Sequence, residues 1–282
     1  MDQKEIDVYT TRFHSFDIKR NGSISAAEYL VAKESSFDLR VNNVNIASLI
    51  ASPSQLKELG VGYVVCEGIA SFDEITDISL NGMGIEIRVT SEEDLELWTE
   101  LRSSGCIGVK WSLNEEISIN SDEIFTHEAI FSGLTYLESD IYRLTKGTHL
   151  AALIDTKGRV LAQSVDIGRH NAIDKVVGHA FIKNIDLSKV YLFSTGRQSA
   201  GMVMKASRAG IPLIATKSAP FDSGIEASVR TGLCLVGFVS QSCMSVFSNV
   251  YRIDSGSYNS KRLHNKKIYN QSENIDSCQS DK

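Results

Sequence analysis

Between Phe13 and Ile50, β-branched and aromatic residues alternate with polar ones about an Asn21-Gly22 step, which predicts a strand-rich entry region built on a hairpin. Ser52-Pro53-Ser54 breaks that period. In the following stretch, Gln55–Glu67, residues Leu56, Leu59, Tyr63 and Cys66 recur at helical spacing, so a helix is expected there with Ser54 as its N-cap. Two short alternating runs, ITDISL and GIEIRV, read as strands about Asn81-Gly82, and Ser91–Arg102 reads as a helix with charged faces. Residues 103–120 are rich in Gly and Ser and are expected to form a loop joining two domains.

The second half changes register more regularly. A helix is predicted from Asp122 to about Leu137, then a hairpin (HLAALID, TKG, RVLAQSVDI), then a helix from about Asn171 to Ile182. The strand VYLFSTG, a helix from Ala200 to Ala209, the strand IPLIATKSA, a helix from Ser223 to Arg230 and the strand LCLVGFVS complete the series. Strands alternating with helices of this length predict right-handed crossovers and a largely parallel sheet covered on both faces. The fold class is therefore α/β, or α+β overall. Residues 1–120 form a strand-rich N-terminal domain, 121–255 an α/β domain, and 256–282, polar and without periodicity, a disordered tail.

Composition narrows the function. The 282 residues are 42% hydrophobic and 23% charged, ordinary for a globular chain, and the net charge of -6 argues against a general electrostatic grip on nucleic acid or an anionic membrane. No apolar run is long enough to span a bilayer, and the start, MDQKEIDVYTTR, lacks a signal-peptide pattern, so a cytoplasmic protein is expected. The cysteines Cys66, Cys106, Cys234, Cys243 and Cys278 are odd in number and contain no CxxC pair, which suggests neither a disulfide framework nor a four-ligand zinc site.

Two motifs point the wrong way. Residues 17–28 fit much of a calcium loop, but Lys19 puts a cation where a carboxylate should bind, and the Asn-Gly hairpin is the better reading. His149 and His170 are candidate metal ligands, yet the helix starts GRHNAIDK and TGRQSAGM lack the His-x-Glu and Pro-Cys-x-x-Cys of a zinc deaminase. No metal is expected.

Three junctions carry more. Asp166-Ile-Gly168-Arg169-His170, Ser194-Thr-Gly196-Arg197 and Ser218-Ala-Pro220 each follow a β-rich segment and open a helix. Such junctions gather at the carboxyl ends of strands, where glycine allows close backbone approach, helix N-termini offer free N–H groups and arginine adds charge. An anionic ligand is expected there, most simply a nucleotide. A single thiol also stands out: Cys106, flanked by Gly105 and Gly108 in an expected loop, suits nucleophilic or persulfide chemistry, whereas Cys66 and Cys234 sit inside apolar runs.

The blocks GVGYVVCEGI, DIGRHNAIDKVVGHA, STGRQSAGMVMKASRAGIPLIATKSAP and GLCLVGFVSQ, in this order, resemble the formate dehydrogenase accessory sulfurtransferase family, from about Glu34 to Ile253. The resemblance implies a C-terminal domain of cytidine-deaminase-like, three-layer fold without zinc. It also implies a sulfur carrier that takes sulfur from a cysteine desulfurase and passes it to the bis-molybdopterin guanine dinucleotide form of the molybdenum or tungsten cofactor, for formate dehydrogenase. By position, Cys106 matches the persulfide cysteine, and Phe238, Val239, Ser240, Gln241, Ser242 and Cys243 match the cofactor-contacting segment. Thr148 and His149 match a further signature, with Gly147 where a cysteine often stands.

With Asp166, Arg169, His170 and Arg197 from the helix starts, these residues make up the expected cofactor site. The chain departs from the family in having Cys106 alone where many members have a Cys-x-x-Cys loop, and in having no basic residue in 238–243. One thiol suffices for a persulfide, and Arg102 and Lys110 bracket it with positive charge. Expected partners are a cysteine desulfurase, the apo-formate dehydrogenase and a second copy in a homodimer. The alternative is a chaperone that holds the cofactor or the apo-dehydrogenase without moving sulfur.

Overall fold

The computed structural model describes residues 3–90 and 116–256. The expected Ser91–Arg102 helix, Cys106 with its flanking charges, and all but the first residue of the 256–282 tail lie outside the described residues.

Helix α1 (Gln3–Tyr9) leads into the hairpin β1 (Thr10–Ile18) and β2 (Ile24–Ala32), which turns at Asn21-Gly22 with Gly22 at φ 82°. Within it Asp17 accepts a hydrogen bond from the Tyr29 hydroxyl at 2.8 Å, and both strands expose apolar side chains, among them Phe16 and Ile24. Strands β3 (Ser35–Val41) and β4 (Val44–Ala51), helix α2 (Leu56–Cys66), and strands β5 (Ile75–Asn81) and β6 (Gly84–Val89) follow, and the four strands pair in the order β4-β3-β6-β5. Their inward residues, Phe37, Leu39, Ile46, Ile85 and Ile87, form the first core with Leu59 and Val64 of α2.

Helix α2 differs from its sequence reading. Its cap is Gln55, in the left-handed region at φ 49°, and the Ser54 side chain makes no capping bond. Every residue from Leu59 to Cys66 is buried, because the helix is enclosed between the first sheet and the second domain. Glycines make that fit possible. A β-carbon on Gly62 would lie 1.7 Å from the Asp174 carbonyl oxygen, and one on Gly178 would lie 1.9 Å from that of Glu58. The two helices therefore touch backbone to backbone, and the domains meet along a seam with no room for a methyl group.

The second domain holds β7 (Phe125–Thr126), α3 (His127–Ser132), α4 (Asp140–Thr145), β8 (His149–Asp155), β9 (Val160–Asp166), α5 (Arg169–Ile182), β10 (Val190–Ser194) and α6 (Ala200–Arg208). It continues with β11 (Leu213–Thr216), α7 (Asp222–Thr231), β12 (Cys234–Gly237), β13 (Ser245–Val246) and β14 (Ile253–Asp254). Six strands form one sheet, ordered β13-β12-β11-β10-β8-β9. It is mixed, not largely parallel: β10–β11 and β11–β12 are parallel, while β8 runs against both β9 and β10, and β13 against β12. The crossover from β9 through α5 passes over β8, so β10 pairs with the reversed strand of the hairpin.

Helices α5, α6 and α7 pack on one face with Leu192, Ile214 and Leu235. The other face, with Tyr191, Phe193 and Val236, is covered by Phe125, Ile130 and Leu137. Ile117 and Ile119, from the stretch expected to be a linker, also pack into the second domain's core. The helix expected over 122–137 is broken into β7, α3 and a 3-10 turn at Gly133–Leu137. Thr126 caps α3 by accepting from the Ala129 N–H at 3.2 Å, and Gly133 presses against Tyr191, whose hydroxyl a β-carbon would approach to 2.5 Å. Among the described residues no helix is long and apolar enough to cross a membrane.

Candidate functional site

The strand directions bring the sequence-selected residues of the second domain to one edge of the sheet. Strands β9, β10, β11 and β12 end there, at Asp166, Ser194, Thr216 and Gly237, while β8 begins there at His149, opposite Asp166. Thr148, His149, Asp166, Arg169, His170, Arg197 and the 238–243 segment therefore share an edge. Their roles differ.

Asp166 is fully buried and fully engaged. Its Oδ2 lies 2.6 Å from the Lys175 ammonium and accepts from the Ser52 N–H, while its Oδ1 accepts from the Gly168 N–H and the Asn171 side chain. Lys175 also donates to the Ser52 carbonyl at 3.0 Å. The carboxylate thus ties the first helix start to the strand-to-helix connection of the first domain. Its place is that of a positioning group, and its oxygens are already occupied by protein donors.

Arg169 opens α5 against Gly196, where a β-carbon would come 2.8 Å from its own, so glycine at 196 lets the first and second helix starts meet. The Arg169 Nε is buried and has no partner. At the second helix start, Gln198 is fully buried; its side-chain amide donates to the Gly196 carbonyl at 2.8 Å while its Oε1 has no partner. Arg197 is exposed, with its guanidinium 5.1 Å from the centre of the Phe221 ring. The edge thus presents two arginines, one partly buried and one facing solvent.

Phe238 leaves β12 in the left-handed region at φ 53°, held by its N–H to the Ser218 carbonyl and by the Val239 N–H to the Thr216 carbonyl, both at 3.0 Å. Ser240 and Cys243 close a tight turn: the Ser240 N–H donates to the Cys243 carbonyl at 2.8 Å, and the Cys243 N–H donates to Ser240 Oγ at 3.1 Å. Gln241 and Ser242 are left exposed at its tip. The segment presents backbone and small polar groups without charge.

His149 is half-buried with Nδ1 3.2 Å from Thr195 Oγ1. Burial lowers its pKa, and the nearby Arg169 and Lys217 push in the same direction. His170 is lowered to about 3, first by burial and then by Lys205, Arg169 and His149. It is therefore neutral at pH 7. Because the unfolded chain binds this proton near pH 6.5 and the folded chain does not, stability falls as pH drops below that value. The expected slope is about 1.4 kcal/mol per pH unit from this group until the folded protein itself protonates. Denaturant midpoints between pH 6.5 and 4.5 should show a steeper loss for the wild-type chain than for His170→Gln; equal slopes would refute the assignment.

The edge also contains residues the sequence reading passed over. A small cavity of about 110 Å³ opens beside Thr148 and His149 and is lined further by Ser139, Tyr142, Thr195 and Lys217. Lys217 was hidden inside IPLIATKSA, read as one strand, whereas β11 stops at Thr216 and frees Lys217 for the site. Ser139, which caps α4, and Tyr142, within it, come from a helix the sequence did not announce. A second, more open cavity of about 740 Å³ lies between the domains, at the opposite, amino-terminal end of β10; Glu74, Glu116, Asp186 and Arg208 are among its lining residues.

A mixed six-stranded sheet, with three helices on one face and a polar edge of helix starts, beside a four-stranded sheet with its own helix, defines a mixed α/β protein. Residues 32–254 match the model of the FdhD/NarQ family. The chain is 33% identical over 221 residues to a protein of Methanothermobacter thermautotrophicus named sulfur carrier protein FdhD, covering 76% of this chain and 88% of that one. It is 32% identical over 241 residues to a protein of the same name from Sulfolobus acidocaldarius, covering 83% and 95%. The fold matches a crystal structure from Desulfotalea psychrophila, described as a formate dehydrogenase accessory protein, with a TM-score of 0.74 and 24% identity over 87% of this chain and all of that one. The chain belongs to the FdhD/NarQ family.

Proposed function

We propose that this protein is a sulfur carrier in the maturation of formate dehydrogenase. Cys106 takes sulfur from a cysteine desulfurase: its thiolate attacks the terminal sulfur of the donor's persulfide, the donor thiolate leaves, and the sulfur remains on Cys106 as a persulfide. The acceptor, as cargo, is a molybdenum or tungsten cofactor in its bis-molybdopterin guanine dinucleotide form, whose nucleotide end sits at the edge of helix starts. The carrier acts in the cytoplasm, as a homodimer, and meets both the desulfurase and the apo-dehydrogenase. The relatives named sulfur carrier protein FdhD support this reading at the level of the family.

The observation that carries the ligand site is the cluster of buried polar atoms without protein partners. Thr148 Oγ1, Arg169 Nε and Gln198 Oε1 belong to the three chain segments that converge at one sheet edge. Buried polar groups are nearly always paired, and a ligand that supplies the missing partners accounts for all three. The strand order β9-β8-β10-β11-β12, with β8 reversed, supports a cytidine-deaminase-like scaffold. Its helix starts carry Arg169-His170 and Arg197-Gln198 in place of zinc-binding residues, which suits an anion.

Loading of the protein tests the carrier role. After incubation with a cysteine desulfurase, cysteine and pyridoxal phosphate, a non-reducing digest should show the added sulfur on the peptide containing Cys106 and not on those of Cys66 and Cys234. Preferential loading of Cys243 would move the carrier role to that residue, and no loading at all would leave a cofactor chaperone. GDP should raise the melting temperature more than ADP does, since a ligand that prefers the folded state stabilises it by mass action.

A further inference from the structure

The sequence of the cofactor segment, Phe238 to Cys243, contains no cation. A ligand bearing phosphates must find its counter-charge elsewhere. The cavity beside β8 offers it. The Lys217 ammonium stands at its mouth, 5.8 Å from the centre of the Tyr142 ring, and the Lys146 ammonium lies 5.2 Å from the same ring. Two lysines thus meet at one tyrosine on the rim of a cavity whose lining contains no carboxylate. Of the acids around it, Asp166 is paired with Lys175 and satisfied by three further donors, and Glu138 and Asp140, which flank Ser139, are both paired with Arg143. In a chain of net charge -6 this is a concentrated patch of the opposite sign.

A second observation points to a ligand. Thr148 is only 7% exposed, lines the cavity, and its hydroxyl has no hydrogen-bond partner. Across the cavity, Thr195 Oγ1 is anchored by accepting from the Leu150 N–H at 3.0 Å. A cavity of about 110 Å³ is well above the minimum that holds a buried water and admits a tetrahedral oxyanion of five heavy atoms. Lys217 supplies the charge, and the Thr148 hydroxyl supplies a buried donor whose desolvation is offset only when an acceptor arrives.

We propose that this cavity is an oxyanion subsite that takes one phosphate group, with Lys217 and Thr148 as its principal donors. The identity of that phosphate, as part of a guanine-dinucleotide cofactor, rests on the function proposed above; the subsite itself does not. It explains how this chain binds phosphate with an uncharged 238–243 segment: the cation has moved to the end of β11.

The test uses the full chain with inorganic pyrophosphate, GDP and guanosine as probes, measured by titration calorimetry, beside Lys217→Met, Thr148→Val and a remote control, Lys157→Met. Pyrophosphate and GDP should bind the wild-type and control proteins, and each site variant should weaken both by about tenfold or more. Guanosine should bind weakly and be indifferent to Lys217→Met. Thr148→Val has a further signature: because the hydroxyl has no protein partner, its removal should leave the melting temperature of the unliganded protein unchanged or higher while anion binding falls.

Pyrophosphate binding that is equal in wild type and both variants, or absent from the wild type, would overturn the subsite. If GDP binds the wild type and both variants equally, the cofactor reading stands and the subsite falls. If pyrophosphate binds and is lost in the variants while no guanine nucleotide binds at all, the subsite stands and the cofactor reading falls.

Discussion

A strain whose only copy of this protein carries Cys106→Ser should show no more formate dehydrogenase activity than a strain lacking the protein, a loss of two orders of magnitude or more if, as in other nucleophile deletions, residual turnover is small. Serine keeps the size and polarity of the side chain but cannot form a persulfide. Nor can the two thiols inside the domain cores take over. Cys66 and Cys234 are both fully buried, and burial raises both thiols above their ordinary range, so neither offers a thiolate at neutral pH. Cys66 has the Asp174 carboxylate as a further raising influence. A Cys66→Ala, Cys234→Ala double variant should retain activity wherever it folds. Full activity in the Cys106→Ser strain would sink the carrier model and leave a chaperone that holds the cofactor.

Much of the candidate site was legible because its signals are local. A glycine beside an arginine after an apolar run marks a strand-to-helix junction whatever the strand order, and the helix starts at Gly168 and Gly196 followed from that, while Ser218-Ala219-Pro220 after an apolar run announced the third. The residues that were missed depend on distance in space. Lys217 became visible only when β11 ended at Thr216, one residue before it, and Tyr142 only when the chain after Gly133 tightened into a 3-10 turn and a short helix. The mixed character of the sheet escaped for the same reason: periodicity reports which residues face the core but not which strand of a hairpin the next strand joins. Helix α2 shows the limit most plainly. Its apolar spacing suggested one buried face, yet Gly62 and the distant Gly178 let α5 close on it from the other side. The burial of that second face was decided by residues more than a hundred positions away.

The interface that α2 shares with α5 and α6 also carries the largest stability effect expected of a single substitution. Lys205, on α6 and 2% exposed, lies 2.7 Å from Asp174 of α5 and 2.7 Å from Glu67, the residue that ends α2; its ammonium is also 5.2 Å from the centre of the Tyr63 ring. One cation thus serves two buried carboxylates from two domains, and their field holds it charged well above the ordinary lysine range despite burial. Lys205→Met fills similar space but removes the ammonium that both carboxylates contact. Breaking a buried pair in this way costs about 3–5 kcal/mol, a large part of the ~5–15 kcal/mol that keeps a domain folded. Denaturant unfolding at pH 7.5 should register that loss.

The cause can be separated from simple repacking by pH. Burial already pushes Asp174 up to about 6 with Lys205 present, and without the cation it must rise further. A carboxyl whose folded pKa exceeds its unfolded value binds more protons when folded, so its destabilisation is relieved as pH falls through the folded pKa toward the unfolded one near 4. The deficit of Lys205→Met relative to wild type should therefore shrink between pH 7.5 and 5, and adding Glu67→Gln and Asp174→Asn should recover most of it at pH 7.5. A deficit independent of pH and untouched by the added neutral substitutions would mean that Lys205 acts through its packing alone.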